Sequence, residues 1–426
     1  MSKIMKNTSV VPDGWSIVSL GDVLQYEQPY YYTVTTDDYN DIAGTPVLTA
    51  GKSFLLGYTT EVENVYNNLP VIIFDDFTTD SKFVDFPFKV KSSAMKFLKP
   101  KEENVIDLRL IFEFIQKLKI SVANADHKRR WISEFSKIKI LIPSYPEQQQ
   151  IAKILSTADA VIEKTQAAIA KYKAIKQGML QDLFTRGIDL NTNKLRPRYE
   201  DAPELYKESK LGMIPVEWNE KVFGEEVDLI HGHQFRDYDF TEFGIPVVKI
   251  GQVKPENVDL SSCSFVAYGR EDEFQNEIIR NGDVLMALTG ATLGKACLVK
   301  GLNGIVLQNY RVGRFEPIIK ENDIDKEFLY YLLIAGDLLT QIFNKVNTGA
   351  QGNIGKADFE KATFKKPPFD EQQKIAERLK SIDNKLQTEQ TYLQKMQSLK
   401  KGLMEDLLSG KKQVKVAEEV LTQSEN

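Results

Sequence analysis

The chain has 426 residues, 42% of them hydrophobic and 27% charged, with a formal net charge of −5. That composition is globular, with length for two or three domains, and no run approaches the ~18 apolar residues of a membrane span. Only two cysteines occur, Cys263 and Cys297, which argues against a disulfide framework and for small buried thiols in a reducing compartment. The first residues lack the apolar stretch of a signal peptide, so the expected location is the cytoplasm. The acidic total weighs against a uniformly basic nucleic-acid binder, although a local basic face is enough for phosphate contacts.

In chain order, residues 1–145 mix short strand-like runs (46–49, 71–74, 88–91, 138–142) with turn residues and one helix-like stretch, 108–119. A long helix follows over residues 146–187. Its apolar or small positions Ile151, Leu155, Ala158, Ile162, Thr165 and Ile169 step by 4, 3, 4, 3 and 4, a heptad seam. Gly187 stops it, and residues 188–211 read as a linker. Residues 212–367 form a second mixed module, with strands expected at 246–250, 284–288, 296–299 and 308–312 and a helix at 326–343. Residues 368–410 form a second long helix, with Leu379, Leu386, Leu393 and Leu403 on its seam. Each helix would be about 60 Å long. Residues 411–426 read as a polar, frayed tail.

The two halves are copies. Glu147-Gln148-Gln149-Gln150-Ile151-Ala152 recurs as Glu371-Gln372-Gln373-Lys374-Ile375-Ala376, an offset of 224 residues. The same offset carries Phe135 to Phe359, Asp159 to Asp383, Lys176 to Lys400 and Gly178 to Gly402. The module starts, Trp15 and Trp218, lie 203 apart, so the modules share a frame and differ in length inside it. The fold class is α+β: two similar globular domains separated by two long helices, related by a pseudo-two-fold repeat. Two matching seams in one chain predict an intramolecular antiparallel coiled coil. A homodimeric coil, or helices docked separately on their own modules, are the alternatives.

No catalytic constellation stands out. Gly290-Ala291-Thr292-Leu293-Gly294-Lys295-Ala296 is one residue short of a phosphate-binding loop and ends in Ala where Ser or Thr should meet Mg²⁺. Lys366-Pro367-Pro368-Phe369 echoes an adenine N6-methyltransferase motif, but lysine is a pure donor where an acceptor is needed. His231 and His233 lack the acidic or thiol companions of a metal site. The residues suit DNA better. His127, Lys128, Arg129 and Arg130 beside Trp131 occupy the same place as the amide loop of Thr348, Gln351 and Asn353 in the second copy. Arg pairs bidentately with guanine, and Asn or Gln with adenine. Further candidates in the first module are Lys52, Thr78, Lys91, Ser92, Ser93 and Lys96. Those in the second are His233, Gln234, Arg236, Lys249, Thr289, Thr292, Lys295, Gln308, Asn309 and Arg311.

Together, the Trp15 and Trp218 openings, both Glu-Gln-Gln-x-Ile-Ala helix starts, the Gly178–Phe184 and Gly402–Leu408 helix ends and the Thr289–Gly294 segment resemble the specificity subunits of type I restriction–modification enzymes over about residues 10 to 410. The resemblance implies a non-catalytic DNA-specificity subunit. Each globular domain would be a target recognition domain reading half of a bipartite site in double-stranded DNA, with the coiled coil setting the spacer. It implies two modification (methyltransferase) subunits and additional restriction (endonuclease) subunits as partners. No cofactor is expected on this chain; S-adenosylmethionine, ATP and Mg²⁺ would belong to the partners. A self-contained methyltransferase or nuclease, or a helical scaffold that reads no DNA, are the competing readings.

Overall fold

The computed structural model describes residues 11–51, 53–118, 129–255, 257–319, 321, 323–345 and 353–415. The chain divides into two compact units, residues 1–167 with 390–426, and residues 168–389.

In the first unit β1 (Ser16–Ser19) pairs antiparallel with β9 (Lys139–Ile142). Helix α1 (Leu20–Val23) follows, started by a capping box between Ser19 and Asp22. The main sheet is antiparallel, ordered β2 (Leu24–Glu27), β8 (Met95–Pro100), β5 (Val71–Asp75), β6 (Ser81–Val84). A smaller sheet, β4 (Leu55–Thr59), β3 (Thr45–Leu48), β7 (Lys89–Val90), contains one parallel pair, β3 with β7. Strand β5 is apolar from Val71 to Phe74, where it is buried on both faces. Ile72 and Phe74 join one core with Leu110 and Phe114 of α2 (Leu108–Lys117), while Val71 and Ile73 join another with Val90 and Phe97. Helix α3 (Arg130–Ser133) closes the unit beneath Phe74 and Phe135.

The second unit repeats this plan. Strands β14 (Asn219–Val222) and β23 (Thr363–Lys366) pair antiparallel, displaced from β1 and β9 by the same 203 and 224 residues seen in the sequence. Helix α5 (Phe223–Glu226) leads to the main sheet, β15 (Val227–His231), β22 (Val312–Pro317), β19 (Val284–Ala287), β20 (Ala296–Leu298). The small sheet is β16 (Phe240–Thr241), β18 (Ser264–Val266), β17 (Ile245–Val248), β21 (Leu307–Gln308), again with one parallel pair, β17 with β21. Ahead of this module lie two hairpins, β10 (Ile188–Asp189) with β11 (Lys194–Leu195) and β12 (Tyr206–Ser209) with β13 (Gly212–Pro215). From β3 to β17 the displacement is 200 residues and from β5 to β19 it is 213, so most of the extra length lies between β17 and β19. Two sequence expectations need correcting. The 326–343 stretch is two helices, α6 (Lys326–Ile334) and α7 (Asp337–Lys345), because Gly336 turns the chain at φ 98°. The 308–312 strand is a turn, since β21 ends at Gln308 and β22 starts at Val312. Helix α8 (Lys356–Glu360) corresponds to α3.

Two long helices, α4 (Tyr145–Thr185) and α9 (Phe369–Leu407), carry the seam. Ile151, Leu155, Ile169, Leu379 and Leu386 are buried on it, and Ile162, Leu393 and Leu403 are half-buried. In the first unit Ile151 and Leu155 share a core with Leu407, Asp159 pairs with Lys400 at 2.6 Å, and the Val414 N–H reaches Glu147 at 2.9 Å. In the second, Leu183 shares a core with Ile375 and Leu379, and Lys176 pairs with Asp383 at 2.6 Å. In both units, advancing on α4 means retreating on α9, so the segments run antiparallel within one chain. The two ion pairs are one pair used twice, because the 224-residue offset exchanges them.

The helix starts anchor the modules in the same way. Gln148 accepts from the Asp107 N–H and donates to the carbonyls of Val105 and Pro143; Gln372 does the same with Asp325, Asp323 and Pro367. The neighbouring glutamates differ. Glu371, fully buried, accepts from the Ile188 N–H (2.7 Å), from Arg196 (2.5 and 3.0 Å) and from Trp218 Nε1 (3.0 Å). Glu147 has the Val414 N–H, and Trp15 Nε1 has no hydrogen-bond partner among the described residues. Residues 411–415, expected to fray, therefore dock on the first unit, helped by a Gln413 bond to the Asp13 carbonyl at 3.0 Å.

Candidate nucleic-acid interface

In the second unit the turns at one end of the two sheets converge. After β15 the chain passes through Gly232, where a Cβ would collide with the Gln308 carbonyl oxygen. Only glycine lets these backbones meet, with the His233 N–H donating to that same carbonyl at 3.1 Å. The Thr289–Thr292 turn between β19 and β20 has Gly290 at φ 73°, and the β21–β22 turn supplies Asn309, Tyr310 and Arg311. Asn353 bridges to Thr289, and the Ile354 N–H bonds the Leu288 carbonyl at 3.0 Å. The result is a cleft of about 370 Å³ edged by His231, Thr289, Tyr310, Arg311 and Asn353. His231 is oriented through its Nδ1, 3.1 Å from the Tyr310 carbonyl. Arg311 and Asn353 are exposed at its margin, Lys295 is exposed after the Thr289–Thr292 turn, and His233, Gln234 and Arg236 are exposed on the segment that leads from β15 to β16. Thr292 lies half-buried, its hydroxyl donating to the Ile250 carbonyl at 3.2 Å. Lys249, half-buried, rests on the Phe240 ring and donates to Ser264 at 2.8 Å.

The first unit builds the equivalent place differently. A tight turn follows β5, with the Asp75 carboxylate accepting from the Phe77 and Thr78 N–H groups at 2.8 and 2.9 Å. Thr78 is exposed at its tip. The Arg130 N–H donates to the Asp76 carbonyl at 3.1 Å, matching the Ile354–Leu288 bond one repeat later. The shared offset of 224 thus has a physical form. It places Arg129 and Asn353, both exposed, at the same point of the two modules.

Several sequence candidates are removed from this surface by burial. Lys96 is 1% exposed, salt-bridged to Asp76 at 3.1 Å and seated on the Tyr26 ring. Asp76 also accepts from the Trp131 N–H at 2.8 Å, so it is a structural hub that the sequence did not flag. Arg130 is buried and pairs with Glu134 at 3.3 Å. Gln308 is fully buried, its amide donating to the Ile230 and Val312 carbonyls at 2.8 Å each, and Asn309 is buried beside it, holding the turn through the Arg311 N–H. These polar groups hold turns in place rather than facing outward. Lys91 is ion-paired to Asp37; Ser92 accepts from the Ala94 N–H at 3.1 Å, and Ser93 is half-buried. Lys52, His127, Lys128, Thr348 and Gln351 lie outside the described residues.

Burial disfavours the thiolate form of both cysteines. It pushes Cys297 up to about 12 and Cys263 up to about 11. Lys366, in the methyltransferase-like tetrapeptide, is held by Glu226 and Asp323. Among the described residues no three His, Cys, Asp or Glu side chains gather as a metal site, and no helix is long and apolar enough to cross a membrane.

The sequence profile of the type I restriction modification DNA specificity domain matches this chain twice, over residues 12–172 and 215–398. The chain belongs to that family. It is a DNA-recognition subunit and not an enzyme. It is 29% identical to the type I restriction enzyme MjaVIII specificity subunit of Methanocaldococcus jannaschii over 417 residues, 95% of this chain and 94% of that one. It is 38% identical to the EcoR124I/EcoR124II specificity subunit of Escherichia coli over 228 residues, 53% and 51% of the two chains. The crystal structure of the S subunit from M. genitalium superposes with a TM-score of 0.64 over 96% of this chain and 99% of that one, at 14% identity, a likeness of fold.

Proposed function

We propose that each repeat of this specificity subunit reads one half of a two-part DNA site, with the α4–α9 pair fixing the spacing between the halves. The observation behind this reading is the shared frame with divergent turns. Arg129 and Asn353 occupy one structural position, yet their side chains favour different bases: a guanidinium suits guanine, a carboxamide suits adenine. Equivalent placement with unequal chemistry suits an asymmetric pair of half-sites, as a two-fold reader suits a symmetric pair. Phosphate contacts come from Thr78 in one repeat and from His233, Lys295 and Arg311 in the other, positioning the chain without reading sequence.

In this reading the helices also receive two modification subunits, and restriction subunits join that core. S-adenosylmethionine, ATP and Mg²⁺ belong to those partners, and the assembly works in the cytoplasm. Sequencing of modified adenines in cells carrying this chain and its partners tests it. Two short motifs separated by a fixed run of unread positions are expected; a continuous motif would overturn the reading.

A further inference from the structure

The six most exposed large apolar side chains among the described residues divide equally between the two units. They form two triplets, one per unit: Tyr31 (78%), Ile42 (90%) and Val62 (80%), and Tyr238 (86%), Phe243 (74%) and Tyr268 (74%). Both sit at the same corner of the small sheet. Gly44 ends the turn before β3 and Gly244 ends the turn before β17, at φ 134° and 153°. At each, a Cβ would collide with the carbonyl oxygen ending the neighbouring strand, Thr59 of β4 or Val266 of β18. Ile42 and Phe243 occupy these turns, while Val62 and Tyr268 follow β4 and β18. The Tyr238 and Tyr268 segments are tied by the Arg270–Asp239 pair at 3.3 Å. The Thr35 and Thr36 N–H groups tie the Tyr31 segment to Glu61, beside Val62, at 2.8 and 3.2 Å.

Both corners are acidic. The first carries Asp37, Asp38, Asp41, Glu61 and Glu63, and its lysines are spent internally: Lys89 on Glu61 at 3.0 Å, Lys91 on Asp37. The second carries Asp237, Glu242, Glu271, Asp272 and Glu273, and Arg270 is spent on Asp239 and Glu273. Exposed Arg236 lies at the edge of the second corner, but the carboxylates outnumber it, so a DNA backbone gains little here. A second copy of this corner would be repelled. Exposed aromatic and aliphatic anchors inside an acidic rim suit a protein surface carrying Lys and Arg around an apolar patch. Because the corner is built twice on one frame, it offers that surface two equivalent seats.

We propose that these corners are protein-docking sites, each taking the basic face of one modification subunit, so that the module itself and not the helices alone holds the partner. This rests on the proposed role of the chain as a specificity subunit with two such partners. The variants Ile42→Ser with Val62→Ser, and Phe243→Ser with Tyr268→Ser, remove side chains that support no core. Sedimentation of each variant with the purified modification subunit, without DNA, should show one seat retained and the other weakened about tenfold or more. Added salt should weaken the wild-type seats. Two modification subunits bound with unchanged affinity would overturn the proposal. So would unchanged assembly with reduced DNA affinity, which would assign the corners to DNA, or loss of self-association, which would assign them to a second copy. Should the wild-type assembly bind DNA without sequence preference while the variants still lose a seat, the docking inference stands and the two-part reading falls.

Discussion

Substituting alanine at Glu371 and at Glu147 perturbs one sequence position in two environments, and the structure predicts unequal results. Glu371 is fully buried and receives four hydrogen bonds, two from Arg196, whose side chain is 7% exposed. Its removal takes the main counter-charge from a buried guanidinium, a loss of about 3–5 kcal/mol, because a poorly compensated charge is retained in low dielectric. Among the described residues the Arg196 guanidinium would keep the Arg186 carbonyl at 3.1 Å and the more distant Glu217 at 3.5 Å. At Glu147 the loss is one bond from the Val414 N–H, about 1 kcal/mol, since among the described residues Trp15 Nε1 does not bond to it. Both glutamates lie in the first turn of a long helix, so their interaction with the helix dipole cancels in the comparison. Hydrogen exchange, read on peptides from each unit, reports the two losses separately. The second unit should lose protection in Glu371→Ala by several kcal/mol, and the first unit by far less in Glu147→Ala. Equal losses would refute the reasoning.

A pH-dependent difference is expected at Glu113, which occupies on α2 the place of Tyr331 on α6. The Tyr331 hydroxyl donates to Asp383 at 2.8 Å; Glu113 lies in the Asp159–Lys400 pair, with Lys400 at 3.0 Å and Arg109 at 3.9 Å. Burial raises the Glu113 carboxyl above its ordinary value of 4.5 despite Lys400, so the folded chain keeps a proton that the unfolded chain releases. Stability should fall as pH rises from 4.5 through the raised value, and Glu113→Gln should flatten that slope in unfolding measurements across the range. Fold and recognition should also separate within the first unit. Asp76→Ala strands buried Lys96 and should cost about 3–5 kcal/mol in denaturant unfolding. Arg129→Ala should leave that midpoint unchanged while relaxing base preference at one half-site, by about 1–3 kcal/mol, in binding competition. Unchanged preference in Arg129→Ala would remove it from the interface.

The frame was legible because repetition is visible without alignment: the 203 and 224 displacements reappear as two strand pairs, β1–β9 and β14–β23. The heptad steps identified the helix seam, and the matched ion pairs confirm its direction in each unit. The interface was less legible. Lys96, Arg130, Gln308 and Asn309 look like DNA ligands in sequence, but the fold buries them and engages their polar groups with neighbouring carboxylates and backbone groups. A residue type states what a side chain can bond, and the fold decides what it meets. Asp76 gave no signal because its partners, Lys96 and Trp131, are 20 and 55 residues away. The exposed corners carried no motif in the sequence: Ile42 and Phe243 stand outside because of the turns that end at Gly44 and Gly244.

The central claim is that two modules read two half-sites independently. Sequencing modified adenines in cells carrying the wild-type chain or Asn353→Ala, each with its partners, tests it most directly. A two-part motif is expected for the wild type, and for the variant a relaxed base in one half with the other half and the spacing unchanged. A continuous motif, or changes in both halves from this single substitution, would contradict it.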